Sequence, residues 1–161
     1  MERSSDEQLR IEAAARLARL PVSTPTSWRQ LVGRTRRQIS QWTGHEVRVV
    51  EGTLGGGMPM GMWIATAGLD VLWIQHTTRW HRQVILAHGF GHLLCEHSPP
   101  APAISPNLDD RLWRIVESCP ELEGRAISGV MACRESEDRD LLMEREAEVT
   151  GRLFVDKLLH R

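Results

Sequence analysis

Residues 61–97 read GMWIATAGLDVLWIQHTTRWHRQVILAHGFGHLLCEH, and this stretch carries most of the information about the fold. Two apolar runs, 62–67 and 71–75, are joined by the tight Gly-containing segment AGLD, which is typical of an antiparallel hairpin. A helix is predicted over 79–97, because the middle of that segment is apolar on most sides. The stretch therefore predicts two paired strands followed by a sheltered helix.

The flanking segments add more helices and one further strand, from apolar residues at helical or alternating spacing. Together they predict an α+β domain in which helices cover one face of a small, antiparallel-containing sheet. The predicted flanking elements are helices over 7–20, 27–43, 108–118 and 138–160, a strand over 47–51, loops over 52–61 and 98–106, and an unassigned segment over 120–135.

The composition sets limits on the class of protein. The chain has 161 residues, 41% of them hydrophobic and 25% charged, which suits one globular domain. No apolar run reaches the length of about 18 residues that a membrane span needs, and the N-terminus lacks a secretory apolar region. Cys95, Cys119 and Cys133 show no CxxC spacing, which is typical of reduced thiols. We therefore expect a cytoplasmic protein that does not contact a membrane.

The segment His88-Gly89-Phe90-Gly91-His92 carries the most specific chemical signal. Two histidines four apart on a helix project from one face, about 6 Å apart along the axis, and can reach one metal ion. Apolar neighbours place the pair in a sheltered cleft, where polar groups need partners. The pattern therefore predicts that His88 and His92 are metal ligands, while capping or surface histidines are the common alternative.

The last predicted helix offers a third ligand. Glu146 falls inside an apolar stripe formed by Leu142, Val149 and Leu153, and a carboxylate on a core face is costly unless it is paired or coordinated. Glu146 is therefore the expected ligand, with pairing to an arginine as the alternative. Glu144 and Glu148 lie on more polar faces and are expected to be solvated.

The other histidines are sorted by their positions. His81 lies two helical turns before His88 on the same face, so it is positioned to line the cleft without joining the coordination sphere. His97 lies about 140° around the helix from His92 and is expected to point elsewhere. The remaining three, His45, His76 and His160, are expected at the surface.

Two segments together resemble a known family. The hairpin and helix of residues 61–97, followed by LMEREAEVTGRLF at 142–154, are similar to the ImmA/IrrE family of zincin-like metallopeptidases, in particular to short members encoded beside helix-turn-helix regulators. The resemblance covers roughly residues 60–160. It implies a zincin-like fold, zinc held by His88, His92 and Glu146, and a peptide or regulator protein as substrate. It also divides the chain into an N-terminal helix and connector over 1–25 and one metal-binding domain over 26–161.

One position departs from the family pattern HExxH, because Gly89 stands where the family has glutamate. That glutamate is the general base, and its loss typically lowers the rate by ~10²–10⁴. Three interpretations remain: a pseudoenzyme that keeps the metal, an enzyme that uses another base such as Glu96 or a partner's residue, and an engineered inactive variant. Close packing explains the neighbouring Gly91 but does not explain Gly89.

These observations leave three functional hypotheses. The first is a zinc-dependent peptidase with reduced or altered activity, in which the loop over 52–61 borders the cleft. The second is a catalytically inactive metal-binding module that senses or binds a regulator. The third is DNA binding, which the net charge of −1 disfavours, so no direct nucleic-acid contact is expected. His/His/Glu ligands suit zinc but also accept other divalent transition metals. The basic residues behind the third hypothesis are Arg29, Arg34, Arg36 and Arg37.

Overall fold

The computed structural model describes residues 2–20, 27–101, 110–132 and 141–159. Within these ranges the chain is an α+β fold with five α-helices and a four-stranded mixed sheet, which confirms the predicted class. The connector at 21–26, most of the loop over 98–106, Cys133 and His160 lie outside the described residues. The elements are α1 (Glu2–Ala18), α2 (Trp28–Thr43), β1 (Glu46–Gly52), β2 (Gly61–Thr66), β3 (Leu69–Gln75), α3 (Arg79–Leu94), α4 (Asp110–Glu117), a 3-10 helix (Pro120–Leu122), β4 (Ile127–Ala132) and α5 (Leu141–Leu159).

The sheet has the strand order β1-β3-β2-β4. β2 pairs with β3 in antiparallel register, which confirms the predicted hairpin, and its two-residue turn contains Gly68 at a φ of 93°. Such a positive φ favours glycine, because a side chain would be strained there. β1 pairs with β3 in parallel, and β4, from the unassigned segment, pairs with β2 in antiparallel register.

Helical elements cover both faces of the sheet, so the prediction of helices on one face is wrong. Along β2, Trp63 and Ala65 join a buried cluster with α1, α2, α3 and α5, whereas Met62 and Ile64 join a second cluster with α4. Alternate residues of a strand point to opposite faces, so every residue of β2 is buried. The sequence predicts the short helix α4, but its amphipathic pattern does not indicate which face of the sheet it covers.

Helix α3 begins at an N-cap, where the Thr78 hydroxyl accepts a hydrogen bond from the backbone N–H of His81 at 3.3 Å. It ends at Leu94, three residues earlier than predicted. The backbone N–H of Glu96 donates to Leu93 O, and that of His97 donates to His92 O, both at 3.1 Å. These two bonds form a Schellman turn, which needs a left-handed residue, and Glu96 supplies it at a φ of 58°. The chain therefore reverses immediately after α3.

Helices α3 and α5 cross in close contact through small residues. A Cβ on Gly91 would clash with the carbonyl oxygen of Ala147, and one on Gly151 would lie 2.8 Å from the carbonyl oxygen of Ala87. Because residue numbers rise along one helix as they fall along the other, the two helices run antiparallel. Close packing therefore explains Gly91, as expected. Helix α1 also packs against α5.

No helix in the described part of the chain has the length and apolar character required to cross a bilayer.

Candidate metal centre

The two histidines of the HxxxH segment lie together on one face of α3. Their Nε2 atoms are 3.1 Å apart, and the two rings meet edge to face. The His92 residue is 2% exposed and its ring lies beside that of Trp63 on β2, whereas His88 is partly open to solvent. The spacing and the apolar surroundings thus bring two imidazole nitrogens to one point, as the sequence predicts.

A carboxylate from α5 completes this group, and it belongs to Glu144. Its Oε2 lies 3.0 Å from His88 Nε2, and its Oε1 lies 3.5 Å from His92 Nε2. Glu146, the carboxylate that the sequence indicated, lies instead against His97, with Oε2 2.7 Å from His97 Nε2. The structure therefore brings Glu144, and not Glu146, to the histidine pair.

The buried face of α5 explains this difference. The apolar stripe expected from Leu142, Val149 and Leu153 is not the buried one, since Leu142 is 56% exposed. Glu144 lies one turn before Ala147 and two turns before Gly151, both of which contact α3. The residues of α5 that are buried are Ala147, Thr150, Gly151, Phe154 and Val155.

A sequence signal for this face does exist. Ala87 and Gly91 on α3 are four residues apart, and so are Ala147 and Gly151 on α5. Two such pairs of small residues permit a close crossing of two helices, and here they contact each other directly. Hydropathy alone gives little weight to alanine, glycine and threonine, which is why the larger residues on other faces of α5 misled the prediction.

The spacing of the three donor groups fits a tetrahedral ion. Two ligand atoms that lie about 2.0–2.1 Å from tetrahedral zinc are about 3.3 Å apart. His88 Nε2 lies 3.0 Å from Glu144 Oε2 and 3.1 Å from His92 Nε2, whereas the 3.5 Å contact of His92 is with the other carboxylate oxygen, Oε1. One donor atom from each of the three residues lies within 4.8 Å of the other two. Two imidazoles and one carboxylate are also a donor set that zinc accepts, with one position left for a further ligand. These residues thus fit a zinc ion in both chemistry and spacing.

Electrostatics at the site favour the ligand forms of these groups. Burial raises the pKa of the Glu144 carboxyl, but the hydrogen bond from His88 and the nearby His92 ring lower it by more, so its pKa is well below the ordinary value. Burial lowers the pKa of His92, and the nearby Glu144 carboxylate opposes this only in part. At neutral pH, Glu144 is therefore ionised and His92 is neutral, which are the protonation states that bind a metal.

A second layer lies behind His92. The Nδ1 atoms of His92 and His97 are 3.0 Å apart, and His97 in turn contacts Glu146. The expectation that His97 points away is wrong, because the Schellman turn after Leu94 brings its ring back beneath His92. Cys95, His97 and Glu146 form a second group with donor atoms within 4.8 Å of one another. The Cys95 thiol is 3.4 Å from the Thr150 hydroxyl, and burial raises its pKa.

An open cleft of about 610 Å³ lies beside His88 and Glu144. His81 is in its wall, where the sequence placed it, with Nδ1 3.3 Å from the Thr77 hydroxyl. Met60, from the predicted loop, also borders the cleft. Further residues of the wall are Trp80, Val84, Val155, Glu148, Arg152 and Asp156.

Gly89 faces the sheet rather than the cleft. A Cβ at this position would lie 3.2 Å from a Leu72 methyl carbon, so the position is apolar and closely packed but not closed to a side chain. Glu96, considered as a substitute base, is exposed on the turn after α3 and does not line the cleft. Of the histidines expected at the surface, His76 is exposed, and His45 contacts Asp70 at 3.2 Å.

Comparisons of the chain with protein-family models, curated proteins and solved structures found no match.

Proposed function

We propose that this protein binds a divalent metal ion, preferably zinc, through His88, His92 and Glu144, and holds a peptide or a regulator protein in the adjacent cleft with little or no hydrolysis. The observation that carries the proposal is that one donor atom from each of the three residues lies within 4.8 Å of the other two. Two of these contacts, at 3.0 and 3.1 Å, are close to the edge of a zinc coordination tetrahedron. The resemblance to the ImmA/IrrE family supports the same scaffold, with Glu144 in the place of Glu146.

The residues around the site divide into two roles. His88, His92 and Glu144 would hold the ion, which when bound supplies a Lewis acid that polarises a carbonyl and activates water. The cleft residues bind the chain of the partner. Trp80 and Val84 offer apolar contacts, while Arg152 and Glu148 offer charged ones at the opposite wall. Because α3 contributes apolar groups to the cleft and α5 contributes charged ones, a peptide with mixed side chains is a suitable ligand.

The absence of a carboxylate at position 89 supports binding over catalysis. A glycine cannot accept the proton that the HExxH glutamate takes, and the loss of a positioned base lowers the rate by about 10²–10⁴. The cleft is nevertheless large and open, so the ability to hold a partner does not depend on that base. We therefore favour the metal-binding pseudoenzyme over the active peptidase.

Metal binding is tested by titrating Zn²⁺ into chelator-treated protein and measuring heat and stoichiometry. We expect one ion per chain in the wild type and a loss of at least tenfold in affinity for Glu144→Gln. Glu148→Gln is the matched control, because Glu148 lies one helical turn further along α5, in the cleft wall. Equal affinity in all three proteins, or no stoichiometric metal in the wild type, would refute the proposed site.

Catalysis is tested separately with the zinc-loaded protein and a fluorogenic peptide library. We expect no cleavage by the wild type. Gly89→Glu returns a carboxylate to the helix position next to His88, and cleavage by this variant alone would trace the missing activity to that residue. Gly89→Ala is the control, since it adds a Cβ against Leu72 without a base. Metal-dependent cleavage by the wild type would contradict the binding-only function.

One observation favours a second candidate, a zinc peptidase with altered chemistry. Glu148 lines the cleft one turn from Glu144 and forms an ion pair with Arg152 at 2.6 Å. A carboxylate in this position is the nearest substitute for the missing base along the same helix face. If the wild type does cleave peptides, this candidate predicts that Glu148→Gln abolishes cleavage while zinc affinity is unchanged.

A further inference from the structure

A chain of hydrogen-bonding contacts leads from the candidate metal centre to a second carboxylate. His92 presents Nε2 to His88 and Glu144, and its Nδ1 lies 3.0 Å from Nδ1 of His97. On the far side of His97, Nε2 lies 2.7 Å from Oε2 of Glu146. Neither His97 nor Glu146 belongs to the group of three donors. A role for these two residues toward that group rests on the proposed metal site.

The contact between His97 and Glu146 determines where the proton of His97 lies. An ionised carboxylate only accepts hydrogen bonds, so His97 Nε2 must carry the hydrogen that it donates to Glu146. In the neutral form of His97, which has one N–H, Nδ1 then bears a lone pair. That lone pair is directed at His92 across the 3.0 Å contact.

The same reasoning then applies to His92. Because His97 Nδ1 is an acceptor, His92 Nδ1 must be the donor, and a neutral His92 then has its lone pair on Nε2. We infer that His97 and Glu146 are positioning residues, which hold His92 in the one tautomer whose Nε2 can bind a metal ion. Outer partners of this kind orient the ligand ring and raise its basicity.

The second group of potential ligands, Cys95, His97 and Glu146, offers an alternative role for His97 that can be told apart from the inferred one. We call the hydrogen-bonded series from Glu146 through His97 to His92 the relay. A metal ion held by Cys95, His97 and Glu146 would need the lone pair of a His97 nitrogen, but in the relay both His97 nitrogens are engaged in hydrogen bonds. If that nitrogen is Nε2, the hydrogen moves to His97 Nδ1, His92 becomes the acceptor, and His92 Nε2 gains a hydrogen. The relay and a metal at Cys95 are therefore alternatives, and they predict opposite tautomers of His92.

The tautomer is measured directly on the metal-free, full-length chain by long-range ¹H–¹⁵N correlation with ¹⁵N-labelled histidine. We expect the His92 Nδ1 signal in the protonated range and the Nε2 signal in the unprotonated range. The measurement uses no metal, so its result stands apart from whether the protein proves to bind zinc. A protonated His92 Nε2, or a His97 protonated on both nitrogens, would overturn the inference.

Variants of His97 separate the relay from simple packing. His97→Phe keeps an aromatic ring without an acceptor, so we expect both tautomers of His92 and a 10- to 100-fold loss of Zn²⁺ affinity. His97→Gln offers a carbonyl oxygen to His92 Nδ1, and we expect it to restore most of both properties. His81→Phe is the matched control, because His81 lies in the cleft wall outside the relay.

Two further results would contradict the inference. The first is an unchanged His92 tautomer in His97→Phe, with folding confirmed by circular dichroism. The second is a thiolate-to-cobalt charge-transfer band when Co²⁺ is titrated into the wild type, which would place the metal at Cys95. A cobalt spectrum without that band, together with the expected tautomer, supports the relay.

Discussion

Gly91 of α3 lies directly against the main chain of Ala147 on α5, so close that a methyl group at position 91 would overlap the Ala147 carbonyl oxygen. This contact determines how near the two helices approach. It also determines which turn of α5 faces the histidines, because Glu144 lies one turn before Ala147. The packing of these two small residues therefore also determines the position of the Glu144 carboxylate.

Substitution of Gly91 should be costly. We expect Gly91→Ala to lower the free energy of unfolding by about 1–3 kcal/mol, because backbone must move and overpacking outweighs the gain of about 1 kcal/mol in helix propensity. Gly33→Ala in α2 is the control, since nothing lies within 4 Å of its new Cβ, and it should stabilise by up to about 1 kcal/mol. Urea denaturation measures both; a neutral Gly91→Ala would show that the helices separate easily.

Metal removal should lower thermal stability. An ion that binds to the folded state alone contributes about 2.7 kcal/mol at a hundredfold excess over its Kd. A site with ligands on both α3 and α5 exists only in the folded state. We expect a chelator to lower the Tm of the wild type and to leave that of Glu144→Ala unchanged. Glu148→Ala should respond like the wild type. Calorimetry with and without chelator measures the effect, and an unchanged wild-type Tm would argue against an ion that bridges the helices.

Acidification should destabilise the metal-free protein in two separate ranges of pH. Burial lowers the pKa of His92 from its ordinary value of 6.5, so below that pH the unfolded chain binds a proton that the folded chain excludes. The free energy of unfolding then falls as pH decreases, by at most about 1.4 kcal/mol per pH unit for one proton. The pKa of Glu144 is lowered from 4.5, so its contribution is present above pH 4.5 and is lost below it.

Urea midpoints between pH 8 and pH 3 check these signs. His92→Gln should remove the slope that begins near pH 6.5, and Glu144→Gln should reduce the slope below pH 4.5. A wild-type profile that rises on acidification through the first range would contradict the assignment to a buried, neutral His92.

The turn after α3 should tolerate glycine better than the native residue. Glu96 has a left-handed backbone, with a φ of 58°, which costs an L-residue roughly 1–2 kcal/mol. Glycine avoids this strain, but it also loses more conformational freedom on folding, which offsets part of the gain. We therefore expect Glu96→Gly to raise the free energy of unfolding by up to about 1 kcal/mol. Glu96→Val should be destabilising. Chemical denaturation of the three proteins tests this, and a destabilised glycine variant would count against the left-handed turn.

The sequence predicts the centre of the fold well. The hairpin follows from two apolar runs around a tight turn, and the pairing of His88 with His92 follows from helical geometry alone. Local rules suffice here, because each feature depends on residues close together along the chain. Glu144 could not be chosen over Glu146 in this way, since the choice depends on how α5 rotates against α3. That rotation is determined by small residues with little hydropathy.

His97 shows a different reason for failure. In a helix that continued to residue 97, the His97 ring would point away from His92. The sequence has no glycine at 95–97 to indicate that the helix ends there. The left-handed conformation of Glu96 is imposed by the surrounding structure, so it is not visible in local propensity. The coverage of the second sheet face by α4 likewise depends on a chain path that the amphipathic pattern does not specify.

Helix α1 contributes to the site without contacting it. Its buried residues Leu9, Ala13 and Leu17 pack on the side of the molecule where α5 lies, and Asp6 pairs with Arg145, the neighbour of Glu144. Helix α1 thus supports the helix that carries Glu144. If Glu144 holds an ion as we propose, removal of α1 should weaken ion binding through α5 before it disturbs the strands.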